Sequence, residues 1–298
     1  KSEQWSDNFR TNLPMVQLML SRTYLYMENW EKAAEYAKIV MDNNLFKLVD
    51  LNDVPTPKKD ENGETVRNYI IFPTYASSET IWPYGNVKDM FDWTHKEANS
   101  QNSNTGSKMH AYFQASEELL GTYVDYDLRL NRYIVQAPMG SSSELMRMSF
   151  GKVYVGTTYY LPQNAVGVFG RCLRLSEAYL NYAEAKEVDG KLTQHDLDIS
   201  INLLRKRVGM VPMELGKLPA GSDIRTEIRR ERSVELFYEG HRYFDIIRWR
   251  IGETLGEDLV GVNRRWLDQS RLKVDLNKLQ WVTISGEQYL LLETNRTF

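Results

Sequence analysis

A chain of 298 residues, 42% hydrophobic and 26% charged, is long and apolar enough to bury a sizeable core. Its net charge is −3 and its basic residues are interleaved with acidic ones, which excludes the electrostatic footprint of a nucleic-acid or anionic-membrane binder. A single cysteine, Cys172, excludes an intrachain disulfide and a cysteine-based metal site, and no run approaches the roughly 18 apolar residues of a membrane-spanning helix.

Residues from about Asn12 to Glu28 place Val16, Met19, Leu20, Thr23 and Met27 on one helical face, and Ala33, Ala37, Val40 and Met41 repeat the pattern after Trp30. This predicts a helical hairpin. Its small alanines and the Tyr24/Trp30 pair resemble a tetratricopeptide repeat, in which small residues let one helix approach another. Leu45 to Asn68, with Pro55, Pro57 and a charged turn ending at Gly63, reads as an exposed loop. Glu79 to Trp82 reads as a short extended segment. From Trp82 to Phe113 aromatic residues are set among polar ones, around the Asn-, Ser- and Gly-rich run 99–107.

Ser116 to Asn131 returns to helix, ending near Asp125, Asp127 and Arg129. Residues 152–155 and 157–160, separated by Gly156, predict a short hairpin or bulged strand. From Arg171 to Val188, Leu175, Ala178, Tyr179, Tyr182 and Ala185 share a face that Gly190 terminates. After a Thr193 cap with Asp196 nearby, Leu197, Ile201, Leu204 and Val208 form a stripe stopped by Gly209. In the tail, residues 281–284 and 289–292 flank Ser285 and Gly286 as a closing hairpin.

The chain is organised around Ile224 to Trp249, which reads as a helix that stops at Gly240 and resumes. Ile224 and Ile228 share a face with Glu231, Glu235, Tyr238 and Glu239, so carboxylates occupy what should be a core stripe. Buried carboxylates need cations. Arg232, Arg242 and Arg248 are close in sequence, and Arg205 and Arg207 leave the preceding helix on opposite sides, so that one of them can reach the glutamates. An acid/base site and a buried arginine–glutamate lattice that docks the helix are the two readings, and the lattice is favoured because ion-pair networks perturb carboxylates as readily as catalysis does.

The stretch Glu231-Arg232-x-x-Glu235-Leu236-x-x-Glu239-Gly240-x-Arg242-x-Phe244-Asp245-x-x-Arg248-Trp249 resembles the signature of the SusD-like (RagB/SusD) nutrient-binding lipoproteins of Bacteroidetes. Arg174 to Ala185, Ile201 to Gly209 and the Asp-x-x-Arg-like element at Asp125–Arg129 resemble the same family at its order and spacing. The resemblance implies a mainly α fold of tetratricopeptide-like helix pairs with long loops and a few short strands. It further implies one SusD-like domain over 1–298, the later part of a longer protein: a helical hairpin (1–50), a loop- and strand-rich variable region (51–165), a helical signature region (166–250), and C-terminal loops with a hairpin (251–298). A signal peptide, a lipidated cysteine and further helical repeats are expected to precede it, anchoring the protein to the outward face of the outer membrane.

Function follows by the same resemblance. Such proteins capture oligo- or polysaccharide, or in some members peptide, and pass it without catalysis to a SusC-like, TonB-dependent outer-membrane transporter. The alternative is a tetratricopeptide-like adaptor that binds protein or peptide in a helical groove. The four histidines lack metal-ligand spacing, and neither a nucleophile elbow nor a phosphate-cradling loop is present, so no metal or cofactor is expected. An apolar sugar face stacks on indole or phenol rings while polar side chains at the rim take its hydroxyls. The aromatics flanking the most polar loop, Trp82, Tyr84 and Trp93, with Phe91 and Tyr112 behind them, are therefore the predicted ligand platform, and Trp266 is a rival position.

Overall fold

The computed structural model describes residues 11–53, 58–59, 65–67, 77–86, 95–97, 109–111, 115, 117–124, 126–139, 142–150, 156–157, 169–249, 279–284 and 287–292. The chain divides into two compact units, Lys1–Arg242 and Tyr243–Phe298. Helix pairs form the scaffold of the first unit, as the sequence predicts, and short antiparallel ribbons decorate it.

Helix α1 (Leu13–Tyr26) and helix α2 (Trp30–Met41) are the predicted hairpin, each started by an asparagine. Asn12 accepts a hydrogen bond from the Met15 amide, and Asn29 accepts one from Lys32. The turn between them holds Glu28 at φ 58°. The face of α1 differs from the expectation. Val16, Met19 and Met27 are exposed, and the buried row is Leu18, Ser21 and Leu25. The reason is polar: Ser21 Oγ donates to the Ala33 carbonyl at 3.0 Å and accepts from Asn181 Nδ2 at 3.2 Å, so the small hydroxyl is bonded to both neighbouring helices. Ala33, Ala34 and Ala37 are buried opposite it, as the repeat-like spacing predicts.

The loop after α2 is less exposed than expected, because Phe46 and Leu51 are buried. Described strands of the first unit are β1 (Lys58–Lys59), β2 (Thr65–Arg67), β3 (Thr80–Asn86), β4 (His95–Glu97), β5 (Met109–Ala111), β6 (Ile134–Met139), β7 (Ser142–Phe150), β8 (Gly156–Thr157) and β9 (Phe169–Arg174). They form a β1-β2-β8 sheet and the ribbons β3-β9, β4-β5 and β6-β7, all antiparallel. Gly156, expected between the arms of a hairpin, instead pairs with Arg67 as part of β8; the rest of that predicted hairpin lies outside the described residues. Short helices α3 (Glu117–Thr122) and α4 (Leu128–Arg132) lead into β6.

Helix α5 (Leu175–Val188) starts four residues later than its pattern suggests, because 169–174 are extended in β9. It is the centre of the unit. Every residue from Leu175 to Ala185 is buried, not one face only, so its polar residues must find partners inside. Glu177 takes the Arg22 guanidinium through two hydrogen bonds, and Asn181 takes Ser21 and Arg232. Burial alone would lower the Arg22 pKa; the charge and hydrogen bonds of Glu177 outweigh it and hold the group above its ordinary value.

Helices α6 (Gln194–Asp198) and α7 (Ile201–Lys206) follow. Thr193 and Asp196 form the reciprocal capping box. Leu197, Ile201, Leu204 and Val208 are fully buried, and Gly209 ends the stripe at φ 77° with the Tyr126 carbonyl close behind it. The predicted single helix is broken at Ser200, whose hydroxyl donates back to the Asp196 carbonyl. Helix α8 (Ile224–Glu235), capped by Asp223, is the signature helix, and it ends five residues before Gly240. Tyr238 at φ 64° and Gly240 at φ 85° turn the chain there.

In the second unit, helix α9 (Arg242–Arg248) carries the resumed signature. Arg248 pairs with Asp245 at 2.7 Å and its guanidinium lies 4.7 Å over the Trp249 ring. Strands β10 (Leu279–Ile284) and β11 (Glu287–Leu292) form the predicted closing hairpin, with Trp281 opposite Leu290 and Val282 opposite Tyr289.

Candidate functional site: a buried ion lattice beside an aromatic pair

The signature glutamates sit at the centre of a lattice assembled from six separate stretches. Glu79 comes from the residue before β3, Asp127 and Arg129 from the start of α4, Arg174 from the end of β9, Arg205 and Arg207 from the end of α7, Glu231 and Glu235 from α8, and Glu239 from the turn after it. Glu235 is fully buried. Its Oε1 accepts from Arg174 Nη1 at 2.7 Å, from Tyr133 Oη at 3.1 Å and from Arg207 Nη2, and its Oε2 accepts from Arg129 Nη1 at 3.2 Å.

The rest of the lattice is equally saturated. Arg129 also binds Glu231 and both oxygens of Asp127, and Arg205 Nη1 reaches Glu231 at 3.0 Å. Arg174 spans Glu79, Glu239 and the Glu235 carbonyl. Glu79 Oε2 accepts from Arg207 Nη1 at 2.6 Å and from the Val49 amide at 3.1 Å. Burial alone would depress the Arg129 guanidinium, but Glu231 and Asp127 hold it well above the ordinary arginine value. The arginine is permanently charged, and its carboxylates are committed to it.

Such an arrangement cannot do acid/base work on a substrate, because Glu79, Glu231 and Glu235 are at most 2% exposed and their oxygens are already engaged by cations. The lattice is the scaffold's hub. Both Arg205 and Arg207 reach the glutamates, where the sequence led us to expect one. Arg129 and Arg174 were not anticipated as partners, nor was Glu79, although the first two lie in the motifs at Asp125–Arg129 and Arg174–Ala185. Of the arginines near in sequence, Arg232 donates to Asn181, Arg242 to Ser233 and Arg248 to Asp245. Burial also pushes the Cys172 thiol well above its ordinary range and raises the Tyr238 phenol to about 12.

Of the predicted platform, Trp82 and Tyr84 stand together on β3. Their rings stack with centroids 5.1 Å apart and planes 19° from parallel. Both are half-buried and pack against the cluster that contains Ile81, Leu173 and Leu175. Among the described residues, the buried Trp82 Nε1 has no hydrogen-bond partner. Phe91, Trp93, Tyr112 and Trp266 lie outside the described residues. Among the described residues no cluster of histidine, cysteine, aspartate and glutamate is placed to hold a metal ion, and no helix is long and apolar enough to cross a membrane.

Stacked helix pairs joined through a buried arginine–glutamate hub, with short ribbons at the periphery, define a tetratricopeptide-like scaffold of one particular kind. The fold is SusD-like: the model of the SusD family matches residues 170–289, and solved SusD-like structures share the fold. One is a SusD-like carbohydrate binding protein from Bacteroides vulgatus, 17% identical with a TM-score of 0.51 over 95% of this chain and 51% of that one. A surface glycan-binding protein A from Bacteroides uniformis is 17% identical, with a TM-score of 0.54 over 87% of this chain and 54% of its own. A SusD superfamily protein from Parabacteroides distasonis is 18% identical, with a TM-score of 0.52 over 94% and 58%. The chain thus spans about half the length of the solved structures it matches. A search of curated proteins gave no match.

Proposed function

We propose that this chain is the later part of a surface nutrient-binding protein that captures an oligo- or polysaccharide without cleaving it. It hands the glycan to a SusC-like, TonB-dependent transporter, and a lipid anchor of the longer protein holds it on the outward face of the outer membrane. The observation that carries the reading is the Trp82–Tyr84 stack on a SusD-like scaffold. The paired, half-buried rings offer apolar surface to the C–H face of a sugar. Two surface glycan-binding proteins among the similar structures support the ligand class.

The test is calorimetric titration with maltohexaose, cellohexaose, xylohexaose and mannohexaose beside a set of extended peptides. Trp82→Ala should cost about 2 kcal/mol of glycan affinity, as a central aromatic anchor does. Because Trp82 also packs on the core, its truncation lowers stability as well, so Trp82→Phe, which keeps most of that packing, separates the two effects: affinity falls and the melting midpoint stays close. Glycan affinity untouched in both variants removes the platform. Binding of peptides alone favours the helical-groove adaptor, for which the exposed α1 row Leu13, Val16, Met19 and Met27 is the available apolar face.

A further inference from the structure

The aromatic pair and the ion lattice have so far been separate features, yet they share a ribbon. Glu79 directly precedes β3, and Arg174 is both the last residue of β9 and the ladder partner of Thr80. Glu79 Oε1 accepts from Arg174 Nη1 at 2.7 Å and from the Ser176 hydroxyl, while the Leu175 amide donates to the Glu79 carbonyl at 3.0 Å. Arg174 is held in turn by Glu235 and Glu239. One end of the ribbon is therefore fastened to the buried ion lattice, and Trp82 and Tyr84 follow within a few residues.

What that fastening decides is register. Trp82 faces Leu173, so between Thr80 and Trp82 strand β3 advances two residues while β9 advances one, and Ile81 is the extra residue of a bulge. Side chains alternate along a strand, so a one-residue slip exchanges the two faces. Ordinarily a hydrophobic–polar alternation specifies which face turns inward. Here it does not, because one row is Ile81 and Pro83 and the other is Trp82 and Tyr84, both apolar. In the structure Ile81 and Pro83 are buried and the aromatic pair is half-buried. The unbulged ladder would set Trp82 opposite Cys172, the residue that Pro83 now faces.

We infer that Glu79 and Arg174 are positioning residues for the aromatic platform: their buried ion pair fixes the bulged register of β3 on β9 and thereby leaves Trp82 and Tyr84 half-buried while Ile81 and Pro83 are buried. The inference rests on the glycan-binding reading for its functional consequence, but the register lock is tested independently of any ligand. It also explains a saturated, substrate-inaccessible lattice next to a binding surface. Four arginines and five carboxylates hold in place the strand end from which that surface is built.

Cys172 is the chain's single cysteine and makes the register directly readable. In the otherwise native full chain, refolded from the reduced, unfolded state in a glutathione redox buffer, Pro83→Cys should form a disulfide with Cys172 and Trp82→Cys should not, since only directly opposed residues bring their Cβ atoms within reach. Adding Glu79→Gln, which keeps the side-chain shape and removes the charge, should reduce the first cross-link and let the second appear. In the same background without added cysteines, affinity for the hexasaccharide that binds the wild type should fall roughly tenfold or more, the equivalent of losing one well-placed contact. An unchanged pair of cross-link yields in folded Glu79→Gln overturns the lock, even if its melting midpoint falls, because a purely stabilising lattice would move the midpoint and leave the register alone. If Glu79→Gln does not fold, Ser176→Ala, which removes a single donor from Glu79, is measured the same way, and unchanged yields overturn the lock there too. Absence of glycan binding by the wild-type chain would instead defeat the glycan reading and leave the cross-linking result to judge the register.

Discussion

Glu235→Ala is the sharpest perturbation of the lattice. The side chain is fully buried and accepts from Arg129, Arg174, Arg207 and the Tyr133 hydroxyl. Removing one partner of a buried ion pair costs about 3–5 kcal/mol when the opposite charge is stranded. Here each arginine keeps a second carboxylate: Arg129 has Asp127 and Glu231, Arg174 has Glu79 and Glu239, and Arg207 has Glu79. That places the cost at the lower end, about 3 kcal/mol, which for a domain of this size lowers the melting midpoint by about 6–12 °C. Glu235→Gln keeps the volume and one carbonyl acceptor but not the charge, and should fall between Ala and wild type. Thermal unfolding followed by far-ultraviolet circular dichroism measures all three proteins. A midpoint in Glu235→Ala equal to wild type would refute the claim that the signature glutamate holds the fold together.

Ile201→Ala, at a fully buried position of the α7 stripe, should destabilise by about 2–5 kcal/mol through lost transfer energy and a residual cavity, read from denaturant midpoints. Glu28→Gly relieves a left-handed backbone position at the α1–α2 turn and should raise the midpoint by the equivalent of about 0.5–1 kcal/mol; a loss would show that the Glu28 side chain contributes more than its backbone strain costs. Asp196 titrates below the ordinary value of 3.8: burial opposes its charge, but hydrogen bonds from Thr193 and Tyr182 outweigh burial. A carboxylate lowered on folding contributes stability that is full above its unfolded pKa and lost as pH falls through the folded one, so Asp196→Asn should flatten the decline of the midpoint below about pH 4. Incubation with the hexasaccharides should release no reducing ends, and release abolished by mutating a carboxylate pair would make the protein a hydrolase.

Much of the helical scaffold was readable because its determinants are local. Asn12, Asn29, Thr193 and Asp223 cap helices through hydrogen bonds that span three residues, and Gly190 and Gly209 end stretches at positive φ where a side chain is disfavoured. The inward face of α1 was not readable. Counting apolar residues points to Val16, Met19 and Met27, whereas the buried row runs through Ser21, whose burial is tolerated because Ala33 and Asn181 supply its hydrogen bonds. A serine's partners more than ten residues away leave no periodic trace. The uniform burial of α5 was hidden for the same reason, since Glu177 and Asn181 look like an outer face until Arg22, Ser21 and Arg232 arrive to pair with them.

The lattice shows where such reading stops and why. That carboxylates on an apolar helix require cations is a consequence of desolvation, and it holds whatever the fold. Which cations they find is a tertiary fact: Glu235 draws on Arg207, Arg174 and Arg129, at separations of 28, 61 and 106 residues. Sequence proximity favoured Arg232, but on α8 itself this residue is three positions from Glu235 and turns toward α5, where Asn181 accepts from it. Each of the distant arginines lies at or near the end of an element, Arg174 closing β9, Arg207 just after α7 and Arg129 in the first turn of α4, so each is placed by the docking of a whole element. An ion hub built this way rewards simultaneous docking of several elements and tolerates little change in any one of them. The signature residues are committed to this hub, so they specify the scaffold, and on the proposed reading the ligand is met instead by residues such as Trp82 and Tyr84 on the strand that the hub holds.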